Sequence, residues 1–418
     1  MPHTDPIPQL AAHLFREHSG KMVAVLSRLF GLQDIDKVMD IVQDTFEAAL
    51  TSWRFSGMPD HPPAWLMQVA KHKAINYLKQ EQRRSSAHAS LPAIQGIEQE
   101  IEPFFAPGEI RDSQLKLLLL CCHPVLSPRN QIALTLYVLC GFGVPEIANA
   151  LLIQPEAAKK ILTRSKALLR REALPAPFSL PVLSPERLHT TLMVLYLMFN
   201  EGYKSTRKKA TIDNDLCYEA LRLAKLVAEQ AGTGGEAEAL IALMFFNLSR
   251  FPARFSLTGT QLSLEEQDRS RWNKVFIEEA YYYLGRAMPQ QPNRFYLEAL
   301  IASQHCRAAC FADTDWPGIA ALYRQLERLY PSSMVTLNRI LAESYLPGSR
   351  SLDDLRGLRS SDLEANFMLP AAEGDICRRM GLMADACDAY TRALALAATP
   401  ADKEFLAQRI AQCRMLFS

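Results

Sequence analysis

Along almost the whole chain apolar residues recur at three- and four-residue spacing, with no series of alternating apolar and polar positions bounded by hairpin signals. That pattern predicts an all-α protein. The periodic segments fall into three blocks, residues 10–84, 113–173 and 185–417. Residues 85–112 carry Pro92, Gly96, Pro103, Pro107 and Gly108 among Glu98, Glu100, Glu102 and Glu109, a composition that reads as a flexible acidic linker. The second junction is short and punctuated by Pro175, Pro177, Pro181 and Pro185.

In the first block a helix from about Asp34 to Phe55 puts Val38, Met39, Val42, Phe46 and Leu50 on one face. Its other side is acidic. Asp36, Asp40 and Asp44 recur every four residues, joined by Gln43 and Glu47, with no lysine or arginine at i+4 to neutralise them. Such a stripe calls for a basic partner, although spacing alone allows a merely solvated face. After Pro62 and Pro63 a second helix turns Leu66, Val69, Ala70, Ala74 and Tyr77 toward a core. Gln68, His72, Asn76, Lys79 and Arg83 line the opposite side, flanked by Lys71 and Lys73. From Lys71 to Arg84 five basic side chains stand against Glu81 alone, a balance suited to an anionic backbone. Tyr77 offers a stacking surface if it is not buried. A plain solvated face has the same composition.

The second block has helix-turn-helix spacing. Ser127 and Pro128 begin a helix that Gly141 closes, Pro145 to Leu151 make a short helix, residues 152–154 turn, and Pro155 opens a longer helix to Arg171. Ala158, Ile161, Leu162, Leu168 and Leu169 share one side of it. Glu156, Lys159, Lys160, Thr163, Arg164 and Arg170 share the other, and with Lys166 and Arg171 the helix holds six cations to one acid. Its outer face is ready for a groove, although an αα-hairpin in a helical-repeat protein has the same spacing without touching DNA.

The third block repeats helix pairs imperfectly, near residues 295–311, 316–345 and 365–381 and then 384–397. Tyr390, Ala393, Leu394 and Pro400 fall where a tetratricopeptide pattern would put them. A stacked α-solenoid is predicted. After residue 174 the chain carries 27 basic and 28 acidic side chains, so DNA is not the expected ligand of this part.

Taken together, IVQDTFEAAL (41–50), AWLMQVAKHKAINYLKQ (64–80) and the segment 126–170 resemble regions 2 and 4 of extracytoplasmic-function sigma factors. LYLMFNEGY (195–203), LCYEALRLAKLV (216–227), DRSRW (268–272) and TDWPGIAALYRQLERLYPS (314–332) resemble the subgroup with a C-terminal tetratricopeptide-like extension. The resemblance implies a sigma region 2 bundle, a region 4 helix-turn-helix and a helical regulatory domain. It implies that Asp36, Asp40, Gln43, Asp44, Phe46 and Glu47 dock on the clamp helices of the largest subunit of core RNA polymerase. Gln68, Lys71, His72, Asn76, Lys79, Arg83 and Arg84 would then face the promoter −10 element. Glu156, Lys159, Lys160, Thr163, Arg164, Lys166 and Arg170 would face the −35 element. Asn76 stands where the family often has aspartate, and Lys71-His72 where arginine-asparagine is common. The extension is expected to dock on the rest of the chain or to bind a protein partner.

Composition narrows the field further. Of 418 residues 49% are hydrophobic and 22% charged, and 46 lysines and arginines face 45 aspartates and glutamates, so attraction to nucleic acid has to come from local patches. No apolar run reaches membrane-spanning length and no signal peptide opens the chain, which points to a cytoplasmic protein without membrane contact. The nine cysteines include no C-x-x-C pair and read as small core residues. Neither Cys121-Cys122-His123 nor His305, Cys306 and Cys310 has complete zinc-ligand spacing, so no metal is expected. Without a Walker A, G-x-G-x-x-G, H-E-x-x-H or G-x-S-x-G motif, neither a cofactor nor an enzymatic activity is expected. The alternatives are a helix-turn-helix regulator with a helical-repeat sensor and a helical scaffold that binds no nucleic acid.

Overall fold

The computed structural model describes residues 6–31, 34–86, 101–151, 153–171, 184–204, 210–229, 234–256, 261–288, 292–358, 361, 363–397 and 399–417. These residues are all-α. The only β-like feature among them is an isolated bridge between Phe255 and Gln261. The chain divides into two compact units, Met1–Gly202 and Tyr203–Ser418.

The first unit begins with α1 (Pro6–Phe30), α2 (Ile35–Ser56) and α3 (Pro62–Ser86). Leu14, Met22, Val25 and Leu26 of α1, Val38, Val42 and Ala49 of α2, and Leu66, Ala70 and Ala74 of α3 are buried together. Phe15 meets Phe46 edge-on at 4.9 Å, and Trp53 leans on Trp65 at 5.5 Å. Then come α4 (Pro107–Cys121), α5 (Pro128–Leu139), α6 (Val144–Ala150), α7 (Pro155–Arg171) and α8 (Pro185–Lys204). Proline opens α3, α4, α5, α7 and α8, because the first helical position needs no N–H and suits a fixed φ. Ser127 precedes α5 as expected, but its side chain makes no capping hydrogen bond.

Two boundaries differ from the sequence reading. Residues 102–105 form a 3₁₀ turn and α4 starts at Pro107, so the ordered helical part begins inside the segment 85–112 that composition marked as flexible linker. The prolines misled because they sit in first turns, where they start helices instead of breaking them. Leu115, Leu117, Leu118 and Leu119 then bury α4, which packs along α1. The second difference is α8, most of which falls in the first unit although the sequence placed the boundary before residue 185. Arg187 reaches the Leu119 carbonyl at 3.4 Å, and Thr191 contacts the buried Cys122. Pro175, Pro177, Pro181, Arg207, Lys208 and Lys209 lie outside the described residues.

One close approach joins the two halves of this unit. Gly20 of α1 lies so near the end of α5 that a Cβ there would sit 1.9 Å from the Leu139 carbonyl oxygen. Gly141, at φ 68°, turns the chain immediately afterwards against Ser19 and Phe15.

The second unit contains α9 (Ala210–Ala228), α10 (Glu236–Ser249), α11 (Lys274–Arg286), α12 (Arg294–Arg307), α13 (Trp316–Leu329), α14 (Ser333–Glu343), α15 (Ser351–Gly357), α16 (Met368–Arg379), α17 (Met383–Leu396) and α18 (Pro400–Phe417). Four successive helices start on side-chain caps: Asn273, Asn293, Asp315 and Ser332 accept the backbone N–H of Phe276, Tyr296, Gly318 and Val335. Helix α10 is central and mostly apolar, buried from Ala237 to Phe246 with Glu238 beside Arg286, and α9, α11 and α12 pack on it. From α12 onward each helix packs on its sequence neighbours, the quasi-linear order of stacked helix pairs. Between α10 and α11 an irregular segment is pinned by arginines. Arg254 donates to the Tyr203 carbonyl at 2.6 Å, and Arg269 donates to the carbonyls of His305 and Ala308 and to Thr314 Oγ1.

Substituting Gly20→Ala is expected to lower stability by about 1–3 kcal/mol, since backbone must move to admit the methyl group. Gly108→Ala in α4, where nothing lies within 4 Å of the added carbon, is expected to be neutral or stabilising by up to about 1 kcal/mol. Urea midpoints of the two variants, compared at equal denaturant slope, measure the difference.

Candidate nucleic-acid interface

Helix α2 is two-faced. Its apolar stripe is fully packed, and Asp36, Asp40, Gln43, Asp44 and Glu47 are exposed along the other side. Gln43 donates to Glu47 Oε1 at 3.0 Å, one turn on. Phe46, which the family resemblance grouped with these residues, is 5% exposed and sits against Phe15, so it holds the helix in the core and presents no docking surface. The reason is its place on the i, i+4 line of Val38 and Val42, which faces inward.

The acidic stripe already has basic company from within the chain. Asp36 Oδ1 takes Lys166 Nζ at 2.5 Å and Asp36 Oδ2 takes Arg170 Nη2 at 3.3 Å, both from α7. Lys166 also lies 5.4 Å from the Tyr137 ring centre. Burial, with Asp36 and Asp40 close by, pushes the Tyr137 phenol above its ordinary pKa. Thus two residues assigned to a DNA groove are turned to the acidic helix. The fact was invisible in the sequence because 130 and 134 positions separate the partners.

On α3, Gln68, His72 and Asn76 form an exposed row, Lys79 is half-buried, and Gln68 Nε2 lies 3.1 Å from His72 Nε2. Lys71 departs from the expected flank of this row. It is 7% exposed, ion-paired to Glu102 of the 3₁₀ turn, with Phe105 beside it. Nearby, Arg28 of α1 pairs with Glu109, which it holds below the usual carboxylate pKa, and stacks over Phe104. Tyr77 offers no stacking surface, being packed edge-on against Phe30 at 5.5 Å with Lys37 over its ring. The side chains of Arg83 and Arg84 lie outside the described ones. Residues 102–109 are the part sequence reasoning missed. Their signal was the run of acids opposite a cationic helix, set aside as linker composition.

On α7, Ala158, Leu162, Ser165 and Leu169 are buried. Glu156, Lys159, Lys160, Thr163, Arg164 and Arg170 are exposed and Lys166 is half-buried. Helix α6 meets α7 through a tight turn in which Ile153 N–H donates to the Ala148 carbonyl at 2.9 Å. Glu146 Oε2 accepts the Gly143 N–H at 2.7 Å and fixes the entry to α6. Arg129 of α5 donates to the Leu151 carbonyl at 2.9 Å. The cationic outer face of α7 therefore stands on a braced support, which lets a side-chain row be read as a unit.

Among the described residues no group of three or more His, Cys, Asp and Glu side chains converges as metal ligands, and no helix is long and apolar enough to cross a membrane. Cys121, Cys122, Cys140, Cys217, Cys377 and Cys413 are buried in cores.

Comparison with known proteins agrees with the location of the two-faced helix. Residues 14–84 match the family described as Sigma-70 region 2, and residues 187–288 match a family of unknown function, DUF6596. No solved structure matches the chain. The uncharacterized protein R00370 of Rhizobium meliloti (strain 1021) is 32% identical over 383 residues, covering 90% of each chain. At that identity and coverage, the chain belongs to one family with the Rhizobium protein, carrying at its N-terminal end the segment that matches sigma-70 region 2.

Proposed function

We propose that this protein is a sigma factor of the extracytoplasmic-function type that binds core RNA polymerase and directs promoter-specific initiation. The observation that carries the reading is the exposed row Asp40, Gln43, Asp44 and Glu47 opposite the buried stripe of α2, inside the segment that matches sigma-70 region 2. In this reading the row, with Asp36, docks on the basic clamp helices of the largest polymerase subunit. Gln68, His72, Asn76 and Lys79, with Lys71, Arg83 and Arg84, serve the −10 element. Glu156, Lys159, Lys160, Thr163 and Arg164, with Lys166 and Arg170, serve the −35 element. The second unit, as a tetratricopeptide-like regulatory domain, modulates activity or docks a protein partner.

The ion pairs of the free chain fit this cycle energetically. Asp36 is 54% exposed and Arg170 40%, and pairs this wet contribute about 0–1 kcal/mol each. In this reading polymerase and DNA can exchange the Asp36–Arg170 pair at small cost. Until they do, acids of the chain compete with phosphate for Lys71, Lys166 and Arg170.

Two experiments follow. In reconstituted transcription the chain is expected to make core polymerase start at defined promoter positions. Asp40→Arg with Asp44→Arg should abolish core binding while leaving the circular dichroism spectrum unchanged, since both side chains are exposed. Retention of core binding by that variant would remove α2 from the interface. In the second, Asp36→Asn with Glu102→Gln is expected to strengthen binding of the free chain to duplex DNA by about tenfold at low salt. The control, Asp60→Asn with Asp353→Asn, makes the same charge change at exposed residues that pair with none of these cations. An equal gain in the control would show that overall charge, not release of these cations, sets the affinity.

A further inference from the structure

The second unit holds a half-open cavity of about 230 Å³ between α12, α13, α14, α16, α18 and the segment around Glu265. Trp316, Ile319, Tyr323, Leu341 and Ala342 give it an apolar wall, and Asp375, Arg378, Arg379 and Arg409 give it a charged one. The charges can be matched pair by pair. Arg378 meets Glu265 at 2.9 Å, and Arg409, itself 5% exposed, meets both carboxylate oxygens of Glu266 at 3.0 and 2.7 Å. Two charges remain over. Among the described residues Arg379 has no carboxylate within ion-pair distance; it donates to Ser344 Oγ and to the Asp375 backbone carbonyl, and its Nη1 is buried without an acceptor. The Asp375 carboxylate likewise has no cation at that distance among the described residues, accepting the Tyr390 hydroxyl at 2.5 Å and acting on Arg378 only through space.

A buried or half-buried charge without a counter-charge is costly to keep, and here one of each sign is kept on one helical turn at the wall of one cavity. Both are held in place. The Arg379 guanidinium lies 3.7 Å from the centre of the Tyr345 ring, which stacks on Trp316 at 3.8 Å and 9°. Asp375 is anchored through Tyr390, which is fully buried and packs against Gly374 so closely that a Cβ there would meet the ring at 2.8 Å. His305 adds no charge to the wall: burial, with Arg250 and Arg269 nearby, lowers its pKa to about 3. A lone anion would leave Asp375 unmatched, and a lone cation would leave Arg379 unmatched.

We propose that this cavity is a binding site for a small zwitterion with an apolar side chain, an α-amino acid or the like, whose carboxylate faces Arg379 and whose ammonium faces Asp375. The volume suits such a molecule, and the apolar wall of Trp316, Ile319, Tyr323 and Leu341 receives its side chain. The site stands without the polymerase reading above. If both hold, the second unit supplies the chain with a metabolite-responsive part.

The test is calorimetric titration and thermal shift of the full chain against each of the twenty standard amino acids. For any that binds, the corresponding decarboxylated amine and N-acetylated acid are titrated in parallel. At least one apolar amino acid is expected to bind saturably, with both one-charge analogues weaker by about tenfold or more. Arg379→Met and Asp375→Asn are each expected to cost a similar factor, while Arg356→Ala on the exposed surface leaves binding unchanged. Absence of binding across the panel would overturn the proposal. So would equal binding of the amine or of the acetylated acid, a comparison made on the unaltered chain and independent of whether the variants fold.

Discussion

The first unit depends on a single van der Waals approach, the backbone of α1 at Gly20 against the last carbonyl of α5. Any side chain at residue 20 would hold the two helices apart by the width of a methyl group or more. With hydrogen there, α5 lies on α1, α7 packs on α5, and α7 comes within reach of Asp36 on α2. Gly141 completes the arrangement by turning the chain at positive φ just where Ser19 and Phe15 leave no room for a β-carbon. The electrostatics of the unit follow from this packing: the ion pairs are weak, and the close contact determines which charges meet.

That placement gives the charged helices a double use. A row of carboxylates with an inward apolar stripe must be solvated or partnered, and in the free chain it is partly partnered by the same cations that the proposed promoter contacts require. Lys71 and Glu102 repeat the arrangement on the other cationic helix, with Phe104 and Phe105 setting the turn beside Arg28 and Lys71. Carboxylates can occupy the positions that phosphates would take because both present oxygen acceptors to the same ammonium or guanidinium donors.

In the second unit, organisation follows a different rule. Each helix pair leaves an apolar face that only the next pair covers, so the core is continuous along the stack and side chains distant in sequence gather on one wall. Arg378 and Arg409 meet Glu265 and Glu266 by this route, across as many as 143 positions. The arginine pairs are structural, tying the segment between α10 and α11 to α16 and α18. Asp375 and Arg379 are left over from that tying.

Much of this protein was legible in one dimension. The 3.6-residue period fixed the all-α class and placed α2, α3, α5, α6 and α7 within a residue or two, because Pro62, Pro128 and Pro155 start helices by local geometry and the apolar stripes need no distant partner to be seen. The same period put Phe46 on the apolar face with Val38 and Val42, and the docking role came only from the family resemblance. What the period could not disclose is which charged faces meet. Asp36 with Lys166, Lys71 with Glu102, and the unmatched Asp375 and Arg379 arise only when helices far apart in the chain are brought within a few ångströms. A Coulomb pair depends on separation in space, and separation in sequence carries almost none of that information until the backbone has packed.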